Sequence, residues 1–170
     1  MDKFLDKLSS YNILNNLIPG SIFCYLLQYI NGINLISDSL VENLFLYYFF
    51  GMVISRLGSL IVEPFAKKTG FVHYAEYSDY LIASKTDGKI DVLLETNNLY
   101  RTISASGMLI IIISIYLFAE KRISFLSYAT PYLVAIVLLL LFLFSFRKQT
   151  HYIKNRVEHV VQKKGEKDKE

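Results

Sequence analysis

The chain has 170 residues, of which 53% are hydrophobic and only 19% charged, with a formal net charge of +3. A soluble domain carries about 25% charged residues, and here the apolar residues gather in long blocks, which excludes an ordinary soluble domain. The single cysteine, Cys24, excludes a disulfide within the chain.

Residues 1–17 place Phe4, Leu8, Tyr11 and Asn15 on one side and Asp2, Lys3, Asp6 and Lys7 toward water. That pattern predicts an amphipathic helix on the membrane surface. Pro19-Gly20 marks a bend, since proline suits the first turn of a helix and not its interior. The first span is expected over 18–36, with Gln28, Asn31 and Asn34 on one slowly drifting face that looks into protein. The mixed charges at the start and the lack of a small-x-small site argue against a cleavable signal peptide. Phe23 occupies the place where a lipidation signal needs a small residue, so Cys24 reads as a buried thiol.

A short turn at Ser37–Ser39 implies an antiparallel hairpin with the second span, 41–64. The helix itself is expected from Ser39 to Lys68, closed by Gly70 as a C-cap, with Lys67 and Lys68 meeting the negative end of its dipole. This span carries Arg56 inside the apolar run and Glu63 at its end. A charge at the centre of a span costs roughly 2.5–3.5 kcal/mol on insertion scales, so an ionisable residue there is a functional hypothesis. Arg56 and Glu63 are seven apart and share a helix face, yet about 10 Å of rise separates them, which favours partners from other helices or subunits. Two readings of Arg56 stay open. It lines a pore, pocket or subunit interface, or it snorkels to the boundary. Gly51, Ser55 and Ser59 repeat every four residues and make a small-residue face for close helix packing.

Residues 65–101 form the main polar segment between spans, with five Lys or Arg and five acidic residues. His73 to Ala83 reads as a short Tyr-rich helix, in which Tyr74, Tyr77 and Tyr80 form either a docking surface for a cytoplasmic partner or an interfacial anchor. Asp87-Gly88 is a turn signal. One long helix is expected from Lys89 to Ala119, with its third span at 102–119. The fourth span covers 128–146, and Pro131 places the start of its helix near Thr130. The tail, 147–170, continues as an amphipathic stalk. Its eight bases are diluted by four acids, so it reads as a topology signal beside anionic lipid, with no specific nucleic-acid partner.

Two basic residues precede the first span, five lie in the central segment and eight in the tail, whereas the two hairpin loops hold none and two. The positive-inside rule then places both ends and the central segment in the cytoplasm. The expected fold class is an all-α integral membrane protein, with four transmembrane helices and helical cytoplasmic extensions.

His73, His151 and His159 lack the spacing of a transition-metal site. The sequence has no phosphate-cradling loop, nucleophile elbow or intramembrane carboxylate pair, so neither an enzyme nor a cofactor is expected. With four short-looped spans, a cytoplasmic body of helix extensions and no catalytic motif, the chain resembles small multi-pass membrane proteins of bacterial anti-phage defence loci, the Kiwa membrane-subunit family foremost. The resemblance implies a homo-oligomeric component of the inner membrane that senses infection or perturbs the bilayer, together with a cytoplasmic partner. A non-conducting scaffold that recruits a soluble partner and a small-solute transporter are the alternatives.

Overall fold

The computed structural model describes the backbone of residues 2–167 and the side chains of residues 13–161. Its regular structure is entirely helical: α1 (Asp2–Asn31), α2 (Leu40–Leu57), a π turn (Gly58–Val62) running on into α3 (Glu63–Lys68), α4 (Tyr77–Thr86), α5 (Lys89–Glu120) and α6 (Ser124–Lys167). Among the described residues, four stretches are long and apolar enough to cross a membrane: Ile13–Asn31, Leu40–Lys68, Lys89–Glu120 and Ser124–Val161. The chain therefore has the build of a multi-pass membrane protein.

The expected break at Pro19-Gly20 does not occur, because α1 runs unbroken through Pro19 to Asn31. An internal proline removes one backbone donor, and tertiary packing compensates here, since Pro19 and Gly20 are both buried against α2 and α5. A Cβ on Gly20 would lie 1.8 Å from the Tyr47 carbonyl oxygen, and one on Gly51 would lie 1.7 Å from that of Asn16. The two backbones touch at this crossing, where only glycine fits. Asn16 faces Gly51 and Gly20 faces Tyr47, so α1 and α2 are antiparallel. The side chains of residues 1–12, to which most of the surface-helix expectation belongs, lie outside the described residues.

α1 ends five residues before the expected limit of 36. Gly32 adopts φ +72° and its N–H closes on the Gln28 carbonyl, a left-handed cap. Asn34 thus falls in the connecting loop, and the expected polar face of Gln28, Asn31 and Asn34 does not form. Gln28 is exposed, while Asn31 donates to Ser114 on α5 at 2.8 Å. Ser39 caps α2 by accepting from the Glu42 N–H, and Ser37 and Asn43 exchange backbone and side-chain bonds of 2.8 Å.

α1, α2 and α5 enclose the core of Phe23, Cys24, Leu27, Ile54, Ala105 and Ile110. The short helix expected from His73 begins only at Tyr77, since Glu76 is extended (ψ 144°), and it runs to Thr86. α4 buries Leu81 and donates from Tyr80 to Asp91 on α5 at 3.1 Å. α6 starts at Ser124, six residues before the expected Thr130, with Pro131 in its third turn. The carbonyl that Pro131 leaves without a helical donor belongs to Ser127, which is exposed and open to water.

α6 lies beside this core and buries little of itself, with Leu141 its one fully buried apolar residue among those described. Two polar ties hold it. At one end Thr130 Oγ1 is 2.7 Å from the Tyr116 hydroxyl and 3.1 Å from the Glu120 carboxylate, both on α5. At the other end Lys148 reaches the π turn and α3. Eighteen residues separate Thr130 from Lys148, a rise of about 27 Å, close to the ~30 Å thickness of a bilayer's hydrocarbon core.

A carboxylate among three cations

Pro64 explains the irregular turn that precedes it. A proline at this position has no N–H for the carbonyl four residues back, and its ring would press on that carbonyl. The chain widens instead into the π turn, in which the Glu63 N–H bonds to the Gly58 carbonyl. This diverts the donor that an α-helix would offer to the Ser59 carbonyl, and the next residue, Pro64, has none to give. The Ser59 carbonyl oxygen is therefore left without a helical partner. Lys148 of α6 supplies one, donating to Ser59 O at 2.6 Å and to Ser59 Oγ at 2.7 Å.

The extra residue in the turn also rotates Glu63 by about 100° relative to an unbroken α-helix, which directs its carboxylate into the bundle. Glu63 is 8% exposed. It accepts from Lys67 Nζ at 2.8 Å and Arg101 Nη1 at 2.7 Å, and Lys148 Nζ stands 3.5 Å away. One carboxylate thus joins α3, α5 and α6, and three cations around it leave a local excess of positive charge. Burying a carboxylate is tolerable only with such partners.

Arg56 is exposed and makes no ion pair among the described residues. It shares a crevice of about 530 Å³ with Ser59 and Glu63, and Tyr74, Tyr77 and Tyr80 line the same crevice. The structure so brings together two groups of residues that lie apart in sequence. The tyrosines are engaged within the chain: Lys67 sits 4.2 Å above the Tyr74 ring, Asn97 donates to the Tyr74 hydroxyl, and Tyr77 stacks on Tyr80. Burial, and then the Asp91 carboxylate that it faces, raises the pKa of the Tyr80 phenol.

The small-residue face does not serve one neighbour. Gly51 meets α1 and Ser59 meets Lys148 of α6, while Ser55 is half-buried. Three residues of the site were not singled out from sequence: Arg101, Lys148 and Gly58, the last of which packs on Arg101 and Ala105. The pair Gly58 and Pro64 was the available signal, marking a helix that must distort. No three His, Cys, Asp or Glu side chains gather where a metal could be held, among the described residues. A comparison of the chain with protein families, with curated proteins and with solved structures finds no match.

Proposed function

We propose that this protein is an oligomeric, non-enzymatic component of the bacterial inner membrane that senses or perturbs the bilayer, with its basic end and both termini in the cytoplasm. The observation that carries this reading is the way α6 is held. The most apolar of the four spans packs least against the rest, and its inner tie depends on a buried carboxylate beside a π turn. Such a helix can shift with little loss of packing, so a change in the bilayer, a second copy or a partner can act on it. π turns inside α-helices are frequent at sites of function. Arg56, exposed at the rim of the junction, is the candidate for a permeation path or subunit contact. The place in anti-phage defence follows from the architectural resemblance.

Ion flux across liposomes holding the purified protein tests this reading. Wild type should leak, and Arg56→Ala should leak measurably less. No leak from either would sink the pore-forming version.

The second reading is a non-conducting scaffold whose cytoplasmic partner docks on α4 and the segment before it. It is favoured by the exposed remainder of the Tyr74 and Tyr77 rings (44% and 39%). Under that reading, replacement of 71–86 by a neutral linker, which leaves α5 and Arg101 intact, abolishes recovery of the partner from cells, and unchanged recovery would count against it.

A further inference from the structure

Between α6 and the end of α2 with its π turn runs an open groove of about 830 Å³. Its walls are apolar: Leu57, Leu60 and Ile61 on one side, with Val137, Leu141 and Phe144 at helical spacing on the other. Only its mouth is polar, where Arg147, Lys148 and His151 stand together. We propose that this groove is a binding site for an anionic phospholipid of the leaflet at the basic end, with one acyl chain along the groove and the phosphate at its mouth.

Length supports that occupant. From Val137 to Lys148 is eleven residues, a rise of about 16 Å, against half of a ~30 Å hydrocarbon core, or about 15 Å, for one leaflet. An acyl chain entering at the mouth therefore ends near Val137. Charge points the same way. Glu63 already faces Lys67, Arg101 and Lys148, and Arg147 and Arg56 add to the positive field with no ion pair of their own among the described residues. A basic mouth above an apolar slot between helices is the arrangement that takes lipid head groups. The ligand would fill the space that leaves α6 so little buried, adding to the direct contact that α6 already makes with α2.

The chain contains no tryptophan, so Phe144→Trp puts a single tryptophan, excitable apart from the tyrosines, on the groove wall at a site that is already 53% exposed. In full-length protein reconstituted into phosphatidylcholine vesicles, brominated phosphatidylglycerol should quench this tryptophan at a several-fold lower mole fraction than brominated phosphatidylcholine does. Adding Arg147→Gln, at an exposed residue, should bring the two curves together. Ile61→Phe, which narrows the groove from an exposed position, should weaken quenching by the anionic lipid, and inorganic phosphate should not compete. Equal quenching by both lipids, or a preference untouched by Arg147→Gln, would overturn the proposal. Competition by phosphate alone would reduce the mouth to a simple anion site, and the lipid would fall. Quenching by neither lipid in protein that floats with the vesicles would place a second copy in the groove instead. The proposal requires insertion into a bilayer but neither the pore nor the defence role, and protein that fails to float with the vesicles would overturn it together with the membrane reading.

Discussion

Glu63 is the side chain on which the basic end of the bundle depends. Its burial is tolerable because Arg101 and Lys67 donate to it at 2.7 and 2.8 Å and Lys148 adds a third positive charge. Those cations are themselves only partly buried (18%, 45% and 24% exposed), and solvent screens part of their attraction. Glu63→Gln should nevertheless cost on the order of 2–3 kcal/mol, because it leaves three like charges crowded around a neutral group. Thermal unfolding in detergent should register this as a clear fall in Tm, and added Lys148→Met should recover part of it by relieving the crowding. An unchanged Tm for Glu63→Gln would mean that the ion cluster is dispensable. From sequence, Arg56 is the charge inside the apolar run and Glu63 stands only at its end. The structure separates them, burying Glu63 and leaving Arg56 exposed, because the π turn before Pro64 re-aims one and not the other.

Among the elements, α1 and α2 show how far local signals reach. The periodicity over Lys89–Glu120 is uninterrupted, so the expected helix from Lys89 to Ala119 and the observed one differ by a single residue. Pro19 and Pro131 were expected to mark a bend and a helix start and instead lie inside helices, because a proline states a local cost and not how the fold offsets it. At Pro19 the offset is the backbone contact through Gly20 and Gly51. A methyl group at Gly51 would fall 1.7 Å from a backbone oxygen, which no side-chain movement relieves, whereas one at Gly58 would meet its neighbours at an ordinary 3.4 Å. Gly51→Ala should therefore cost about 3 kcal/mol or prevent folding, and Gly58→Ala should change stability by less than about 1 kcal/mol. Comparing the folded yield and Tm of the two variants checks this contrast, and equal effects would contradict the close crossing. The face of Gly51, Ser55 and Ser59 was legible as small residues, but not as a surface divided between α1 and α6.

At the scale of the whole molecule, the two polar ties of α6 lie about one hydrocarbon thickness apart, which suits four helices standing across a bilayer. The proposed orientation puts Lys85, in α4, and Arg122, between α5 and α6, on opposite sides. In a Cys24→Ser background, Lys85→Cys should react with a membrane-impermeant maleimide only after the cells are permeabilised, while Arg122→Cys should react in intact cells. The reverse pattern would invert the protein. The sequence by itself determined the four apolar helices and their approximate places, because the length and hydrophobicity of a run are local properties. Tertiary structure alone decided which helices touch, that a π turn frees the Ser59 carbonyl for a lysine 89 residues away, and that Glu63 finds Arg101 across 38 residues. Burial and these two contacts are properties of positions in space, and no short window along the chain contains both partners of either.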